Sequence, residues 1–231
     1  MKYVSIVIPA HNEKKNIKNT IVNILESVKN SKIIVVCNNC NDDTFSIVER
    51  LRQKNDNILN LNFTDKIGKG GAIIEGFKLA DGDYIGFVDG DNAFFTSDLL
   101  GLINELGKSD CAIASKWLNR GFFNVNESFF KKISGRIWNF YVNILFDLSI
   151  KDTQAGMKFF RKRVLDRVIP EREFICTGFD FDVELLGRVK KNGFSIKEIP
   201  VNINKSNKRS SFSYLDSLKM MLNLARCRFF P

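Results

Sequence analysis

The sequence lacks the features that membrane-spanning and secreted proteins require. No apolar run reaches the roughly 18 residues that a membrane span needs, because Asn139, Asn143 and Asp147 interrupt the longest candidate. The start of the chain has neither the length nor the cleavage site of a signal peptide. No repeat or low-complexity linker divides the chain. We therefore expect a cytoplasmic protein with a single domain over residues 1–231, which suffice to bury one sizeable core.

Histidine and cysteine are also scarce, which limits the metal and redox chemistry open to the chain. His11 is the only histidine, and five cysteines without a signal peptide favour free thiols over a disulfide framework. Cys37 and Cys40 have the spacing of a redox or zinc pair, but no second pair follows them. We therefore favour ordinary thiols at both positions.

Basic residues are in excess and give a formal net charge of +9. Such a charge indicates an anionic partner: a nucleic acid, an acidic membrane surface or a phosphorylated substrate. The basic residues form no recognisable nucleic-acid-binding motif and lie among apolar helices. We therefore expect no nucleic acid among the partners.

Strand and helix patterns alternate five times between Tyr3 and Ser115. This alternation predicts an α/β fold with a doubly wound, mostly parallel sheet. After Ser115 follow an aromatic stretch over residues 117–128, interpreted as a mobile active-site loop, and then amphipathic helices. The last helix, Ser213 to Phe230, is expected either to pack on its own domain or to lie on a membrane. We accordingly divide the domain into two halves, residues 1–115 and 116–231.

Two aspartates follow the apolar strand that begins at Tyr84. Asp89 and Asp91 flank Gly90, so in extended geometry both carboxylates can point to the same side, and Gly90 lets a ligand approach the backbone. Two hard oxygen ligands suit Mg²⁺ or Mn²⁺ bound to the phosphates of a substrate. A capped turn after a strand uses the same residue types, so this stretch alone is compatible with both interpretations.

A glycine-rich turn, Gly68-Lys-Gly-Gly71, opens a predicted helix. Its backbone N–H groups and the Lys69 cation could bind a diphosphate. It is not a P-loop, because Gly70 follows Lys69 where a P-loop has serine or threonine. A plain tight turn fits the same residues.

Seven segments of the chain together carry a resemblance to a known enzyme family. In order, they are Pro9-Ala-His-Asn-Glu13, Asp42-Asp-Thr44, Gly68-Lys-Gly-Gly-Ala72, Asp89-Gly-Asp91, Arg136 with Asn139, Asp152-Thr-Gln-Ala-Gly-Met-Lys158, and Phe181-Asp-Val-Glu-Leu-Leu186. They resemble the family 2 glycosyltransferases of the GT-A fold, and within them the polyprenyl-phosphate sugar synthases of the dolichyl-phosphate glucose or mannose type. The resemblance covers nearly the whole chain, and its glycine-rich turn and Asp152–Lys158 element favour the glucose type.

The resemblance implies a role for each matching residue. A nucleotide sugar, UDP- or GDP-hexose, would be bound by Pro9, Ala10, Asn12, Glu13, Asn38, Asp42, Lys69, Asp89 and Gly90. Mg²⁺ or Mn²⁺ would lie on Asp89 and Asp91. The phosphate of a polyprenyl phosphate acceptor would be bound by Lys116, Lys132, Arg136 and Gln154. The implied catalytic residues are Asp89, Asp91 and Asp182.

The chain departs from the family at several of these positions. Asn38 stands where an aspartate usually reads the base, so the identity of the base stays open. Ala93 stands where mannose-type members tend to have glutamine, which again favours the glucose type. Lys116 and Lys132 replace arginines; they keep the charge but lose the bidentate geometry.

The acceptor assignment also has support from helical spacing. Lys132 and Arg136 are four residues apart on an apolar helix and share a face. Either both simply reach solvent, or they clamp a phosphate while Phe129, Phe130 and Trp138 offer apolar surface to the isoprenoid chain. The match of Arg136 to the family's arginine favours the clamp.

We expect an inverting, metal-dependent hexosyltransferase, peripherally bound to the cytosolic face of an anionic membrane. A phosphate acceptor is already an anion and needs no general base, so Asp182 belongs either to the active site or to a charged helix face. A transferase acting on a glycan hydroxyl would need a carboxylate base, with Asp182 the first candidate. A sugar-phosphate nucleotidyltransferase, which also combines a glycine-rich loop with metal-binding carboxylates, is the third alternative.

Overall fold

A seven-stranded sheet organises the residues that the computed structural model describes, which are 2–118, 129–171, 173–202 and 214–229. The strands are β1 (Val4–Ala10), β2 (Ser31–Asn38), β3 (Ile58–Phe63), β4 (Tyr84–Val88), β5 (Cys111–Ser115), β6 (Met157–Arg161) and β7 (Ile196–Pro200). The helices are α1 (Ile17–Ser27), α2 (Thr44–Arg52), α3 (Gly68–Lys78), α4 (Thr96–Glu105), α5 (Phe129–Phe146), α6 (Lys162–Val168), α7 (Phe181–Lys191) and α8 (Tyr214–Phe229). Most of the stretch interpreted as a mobile loop, residues 119–128, lies outside the described residues.

The strand order is β3-β2-β1-β4-β6-β5-β7. The first four strands in this order run parallel to one another, and β5 runs parallel to β7. β6 lies between β4 and β5 and is antiparallel to both. The predicted doubly wound, mostly parallel α/β sheet is therefore confirmed. The sequence pattern does not predict β6, a five-residue run interrupted by Lys158.

The reversed direction of β6 decides which turn reaches the ligand-binding edge. In an open parallel sheet, ligands bind beyond the carboxyl ends of the strands. Because β6 is antiparallel, its first residue, Met157, pairs with Val88, the last residue of β4. The turn before β6, residues 152–156, therefore lies at the same edge as the loops that follow β1, β2, β3 and β4.

Helices cover both faces of the sheet. Along β1, Ile6 and Ile8 belong to the core layer that contains residues of α1, α2 and α4, whereas Val7 belongs to the layer that contains residues of α3, α5, α6, α7 and α8. Strands buried on both faces read as continuous apolar runs, not as alternating ones. This explains why the first strands are easily recognised in the sequence.

Two helices of the second half leave apolar side chains exposed at regular helical spacing. On α5 they are Ile133, Ile137, Phe140 and Ile144, and on α8 they are Leu218, Leu222 and Phe229. Residues three, four or seven apart share one side of a helix, so each helix carries one apolar stripe. We call these seven side chains the exposed apolar face.

α8 is held on the domain by its opposite side. Met220, Leu224 and Cys227 are at most 7% exposed. The hydroxyl of Tyr141 in α5 donates to the carbonyl of Met221 at 2.8 Å. The end helix therefore packs on its own domain, which is one of the two arrangements that the sequence predicted. No helix within the described ranges is both long enough and apolar enough to cross a bilayer.

Candidate active site

An ion pair at the carboxyl edge of the sheet marks the centre of the candidate site. Lys69, in the first turn of α3, places Nζ 2.8 Å from Oδ1 of Asp89, which follows β4. Burial disfavours the charge of Lys69, but the nearby carboxylates of Asp89, Asp182 and Asp91 outweigh it and raise the pKa of the ammonium above its ordinary value. Lys69 therefore stays cationic at physiological pH, as contact with a diphosphate requires.

The turn before β6 holds Asp89 in place. The backbone N–H of Asp89 donates to the carbonyl of Gly156 at 2.9 Å. A methyl group at Gly156 would overlap with the Asp89 carboxylate, so this close approach requires glycine. Gly156 lies within the family motif but had no assigned role, because the contact follows only from the antiparallel pairing of β6 with β4.

Asp89 and Asp91 fit the divalent ion that the resemblance implies. The side chain of Asp89 is 40% exposed, and Oδ1 of Asp91 accepts a hydrogen bond from the N–H of Ala93 at 3.2 Å. Among the described residues, no group of three or more histidine, cysteine, aspartate or glutamate side chains could hold a metal. Two carboxylates without a complete protein cage are typical of Mg²⁺ sites that use substrate phosphates as further ligands.

Asp182 is buried beside this cluster and is not on an exposed helix face. Its Oδ2 lies 3.3 Å from Nζ of Lys158, and the two side chains are 4% and 0% exposed. Lys158 also donates to the carbonyl of Ala155 at 2.7 Å. Both Lys158 and Lys69 place Nζ within 6 Å of the ring centre of Phe87, at 5.4 and 5.7 Å. Two ion pairs therefore flank one aromatic ring under the site.

The other carboxylates of this helix start have structural partners. Asp180 accepts hydrogen bonds from the N–H of Gly178 and from the side chain of Asn223. Glu184 accepts from the N–H groups of residues 175 and 176 and forms a buried ion pair with Arg188 at 2.7 Å. These contacts fix the loop before α7.

The loops on the donor side are tied to one another by side chains. Oδ1 of Asn12 accepts from the N–H of Asn41 at 2.8 Å, and Oδ2 of Asp42 accepts from the N–H of Lys14 at 3.2 Å. Partial burial would raise the pKa of Asp42, but hydrogen bonds from Thr44 and Lys14 outweigh it and hold that pKa below its usual range. The ionised carboxylate of Asp42 therefore links the loop after β2 to the loop after β1.

The loop between β1 and α1 contains two of the donor-side candidates, Asn12 and Glu13. Helix α1 begins only at Ile17, after both of them. Asn12 has a φ of 56°, in the left-handed region that a helix cannot use. Glu13 is 8% exposed, and its N–H donates to the hydroxyl of Thr44 at 2.8 Å.

The remaining donor-side candidates lie at the ends of strands. Pro9 and Ala10 are the last residues of β1 and pair with Val36 and Cys37 of β2. The carbonyl of Gly90 accepts from a threonine hydroxyl of α1 at 3.0 Å. Pro9, Ala10 and Gly90 therefore lie at the edge of the sheet at which Lys69 and Asp89 meet.

Asn38 is occupied by backbone groups. Its Oδ1 accepts from the N–H of Ile67 at 3.0 Å, and its Nδ2 donates to the carbonyl of Gly68 at 3.0 Å. The side chain is 6% exposed. Sequence reasoning placed Asn38 at the base, whereas its amide points into the glycine-rich turn.

On the acceptor side, the structure brings three of the four candidates to the turn before β6 or to Lys151, the residue that precedes it. The N–H of Lys116 donates to Asp152 at 3.0 Å, and Arg136 donates to the carbonyl of Lys151 at 3.3 Å. Gln154 belongs to the turn, and its side-chain amide donates to the carbonyl of Phe179 at 3.3 Å. Asp152 is itself buried and organises this turn.

Two residues of α5, Lys132 and Trp138, are less exposed than the sequence interpretation predicted. Lys132 is buried, whereas Arg136 is exposed, although the two are four residues apart. The offset of about 40° between such positions is enough to cross the border of a buried helix face. Trp138 is also partly buried and packs on Tyr141, whereas Phe129 is 60% exposed as expected. The side chain of Phe130 lies outside the described residues.

Phe179 is a site residue that sequence reasoning missed. It is 52% exposed, and its ring centre lies 5.9 Å from Nζ of Lys69. An exposed phenylalanine beside the central ion pair can pack on a substrate. The signal available in the sequence was its position just before the Phe181–Leu186 motif.

Comparisons with known proteins show which family the sequence is similar to. Residues 5–169 match the family described as Glycosyl transferase family 2. The glycosyltransferase AglD of Haloferax volcanii is 30% identical over 207 residues, which are 86% of this chain but 32% of AglD, so this chain spans about a third of that relative. The dolichyl-phosphate beta-glucosyltransferase ALG5D of Trichomonas vaginalis is 28% identical over 99% of this chain and 73% of the relative. The dolichyl-phosphate beta-glucosyltransferase of Saccharomyces cerevisiae is 26% identical, covering 98% and 74%.

The fold is also shared with solved structures. Glucosyl-3-phosphoglycerate synthase of Mycobacterium tuberculosis has a TM-score of 0.73 and 16% identity, over 100% of this chain and 82% of that chain. The same enzyme in complex with Mn²⁺ and UDP-glucose has a TM-score of 0.71 and 19% identity, over 100% and 80%. At this identity the likeness concerns the GT-A fold alone. The match over residues 5–169 shows more: the chain belongs to Glycosyl transferase family 2.

Proposed function

We propose that this chain is a metal-dependent, inverting hexosyltransferase that moves a hexose from a nucleotide sugar to a polyprenyl phosphate. The observation that carries the proposal is the turn before β6. Its Gly156 contacts Asp89 of the donor side, while its Asp152 and Gln154 contact Lys116 and Phe179 of the acceptor side. The names of the dolichyl-phosphate glucosyltransferase relatives support a lipid phosphate as acceptor and glucose as the hexose.

In this proposal the chain acts as one domain with two functional halves. Residues 1–115 supply the loops for the nucleotide sugar, and residues 116–231 supply the acceptor side. Either a UDP- or a GDP-hexose is compatible with the donor loops. The solved complex of a fold neighbour with UDP-glucose favours UDP as the first nucleotide to test.

Lys69 has the charge that departure of the nucleotide requires. As the sugar leaves, the anomeric carbon gains positive character and negative charge grows on the diphosphate. A preorganised cation stabilises that charge where it develops. Mg²⁺ or Mn²⁺ bound by Asp89 and Asp91 would supply Lewis-acid stabilisation of the same oxygens. Attack of an acceptor oxygen from the opposite side of the sugar would invert the anomeric configuration.

Arg136 is the best candidate for the acceptor phosphate. Its guanidinium lies 5.3 Å from the ring centre of Trp117, and one N–H group is bonded to the carbonyl of Lys151. Stacking and this bond fix the plane of an exposed group that has five N–H donors. A phosphate can then accept two parallel hydrogen bonds from it.

The environment of Asp182 supports an acceptor that needs no general base. The carboxylate is buried and paired with the ammonium of Lys158. A base that deprotonates a glycan hydroxyl must come within hydrogen-bond reach of that hydroxyl. A phosphate acceptor leaves Asp182 the role of a buried counter-ion, which fits its position better.

The exposed apolar face supports an acceptor that is held in a membrane. Arg136, Lys219, Arg226 and Arg228 are exposed on the same two helices. Apolar stripes flanked by basic residues are typical of helices that lie in the interface of an anionic bilayer. We therefore propose that the enzyme lies peripherally on the cytosolic face of a membrane.

The decisive experiment is an assay with a panel of nucleotide sugars and a polyprenyl phosphate, with Mg²⁺ or Mn²⁺. We expect a glycosylated lipid phosphate and a free nucleoside diphosphate. Release of pyrophosphate from a nucleoside triphosphate and a sugar phosphate would instead identify a nucleotidyltransferase. Transfer to a glycan hydroxyl, but not to the lipid phosphate, would contradict the acceptor assignment and restore Asp182 as a base.

A further inference from the structure

Asn38 joins the three donor-side loops that follow β1, β2 and β3. The side chain binds the glycine-rich turn after β3 through Ile67 and Gly68, at 3.0 Å in both contacts. The backbone carbonyl of the same residue lies 2.8 Å from Nδ1 of His11, in the loop after β1. Because a carbonyl only accepts hydrogen bonds, Nδ1 must carry the proton. One residue therefore links all three loops.

The contacts of Asn38 reach the central cation over a very short path. Gly68 has a φ of +78°, a left-handed conformation, and opens α3. Lys69 is the next residue, and its ammonium pairs with Asp89. A fixed Gly68 carbonyl therefore fixes the direction in which the first turn of α3 starts, and with it the origin of the Lys69 side chain.

An amide can make both contacts at neutral pH, whereas a carboxylate cannot. The oxygen of the side chain faces an N–H group, and the nitrogen faces a carbonyl. An ionised carboxylate can accept from Ile67 but cannot donate to Gly68. It would instead place a negative charge against the carbonyl oxygen, at a position that is 6% exposed.

We propose that Asn38 is a positioning residue that fixes the glycine-rich turn, and thereby Lys69, for the diphosphate of the donor. It does not read the base. This inference rests on the proposed use of this edge for a nucleotide sugar. It also gives a reason why this chain has asparagine where the family usually has aspartate. Here the side chain must donate a hydrogen bond to the carbonyl of Gly68.

The test compares Asn38→Asp and Asn38→Ala with wild type and with Asn62→Asp. Asn62 is exposed on β3, so Asn62→Asp adds the same charge in the same sheet without touching the turn. The affinities for UDP and for GDP, each with Mn²⁺, are measured by calorimetry between about pH 8 and about pH 5, the range in which a buried aspartate with a raised pKa regains its proton. The ionisable residues near position 38, such as His11 at its backbone carbonyl and Lys69 next to Gly68, are the same in wild type and in all variants.

For Asn38→Asp we expect about tenfold to a hundredfold weaker binding of whichever nucleotides wild type binds, by a common factor, at pH 8. The deficit should shrink as the pH falls, because a protonated aspartate donates to Gly68 as the amide does. Asn38→Ala should bind weakly at every pH, and Asn62→Asp should bind as wild type does. A change confined to one of two nucleotides, without recovery at low pH, would overturn the inference and make Asn38 a base reader.

Hydrogen exchange of the backbone amides of residues 67–71 gives a second readout that needs no nucleotide. We expect faster exchange in Asn38→Ala and in ionised Asn38→Asp than in Asn62→Asp, at unchanged exchange of the β1 amides. Unaltered exchange of residues 67–71 in both Asn38 variants would overturn the positioning role. If wild type binds neither nucleotide, the proposed function fails, while the exchange result still decides the role of Asn38.

Discussion

The proposed donor side and the proposed acceptor side of the site are held together in different ways. On the donor side, side chains of one loop bind backbone groups of the next, as Asn38 binds Ile67 and Gly68. On the acceptor side, the turn before β6 makes the contacts: its Asp152 binds Lys116, and its Gln154 binds Phe179. The nearby helices α5 and α8 leave apolar stripes exposed.

This difference follows the chemistry of the two proposed substrates. A nucleotide sugar is polar and soluble, and loops that are already fixed can bind it without further ordering. A polyprenyl phosphate is polar at one end only. A surface with a phosphate-binding arginine next to exposed apolar helices suits such a molecule, provided that a bilayer covers the apolar part.

The largest effect is expected on the donor side, from removal of a metal ligand. Asp91→Ala should lower turnover at least about a hundredfold, because the charge on the leaving diphosphate would lose its bound ion. Chelation of divalent ions by EDTA should have a similar effect on wild type. Asp65→Asn is the control, since Asp65 is exposed in a loop at the same edge. Full turnover by Asp91→Ala at an unchanged melting temperature would refute the metal-assisted mechanism.

A second prediction breaks the link between the two sides. Gly156→Ala should displace the Asp89 carboxylate and reduce turnover about a hundredfold, since small displacements of catalytic groups are that costly. Gly135→Ala is the matched control, because a methyl group on that glycine of α5 meets no atom within 4 Å. The control should keep its activity and become more stable by about 0.5–1 kcal/mol. Equal activities of the two variants would contradict the role assigned to Gly156.

A third prediction separates the sides by reaction. Arg136→Ala should reduce transfer to polyprenyl phosphate about tenfold to a hundredfold, as expected for loss of a charge-assisted phosphate contact of ~1.5–3 kcal/mol. Slow hydrolysis of the donor by water should persist, because the donor side is untouched. Arg50→Ala, an exposed arginine on α2, controls for the charge. A parallel fall of both activities would assign Arg136 to the donor or to the fold.

The smallest effect concerns the membrane. The double variant Ile137→Ser with Leu222→Ser should bind anionic vesicles about tenfold more weakly in a flotation assay, because each change removes apolar surface from the interface. Leu79→Ser, at an exposed leucine after α3, is the control. Binding of wild type should also fall with salt, since each basic residue near such a surface contributes about 1 kcal/mol.

These point variants are preferable to removing residues 213–231. α8 buries Met220, Leu224 and Cys227 against the domain. Its deletion would expose core residues, so a loss of vesicle binding could not be separated from a loss of stability. If the double variant bound vesicles as strongly as wild type does, the exposed apolar face would not contact the bilayer.

The sequence predicted the donor side better than the acceptor side, for physical reasons. Parallel strands buried on both faces give apolar runs, and the loops after them must meet at one edge, so Asp89 and Lys69 could be placed together. The direction of β6 depends on pairing across some 70 residues of chain, which no local pattern encodes. The contact of Gly156 with Asp89 was hidden for the same reason.

The directions of side chains were the second feature that the sequence could not predict. A spacing of four placed Lys132 and Arg136 on one face, but only packing decides that the first is buried and the second exposed. The pairing of Asp182 with Lys158 and the orientation of the Asn38 amide likewise depend on neighbours that are remote in sequence.

The position of β6 also has a consequence for folding during synthesis. β4 and β5 are not paired with each other, and β6 is the strand that joins them. Until residue 161 has left the ribosome, β3-β2-β1-β4 can form a sheet whose β4 edge is open and prone to pairing with other chains. In the same interval Asp89 has no Gly156 to hold it. The nascent chain at this stage therefore has an unpaired strand edge, and Asp89 lacks the backbone contact that holds it in the complete sheet.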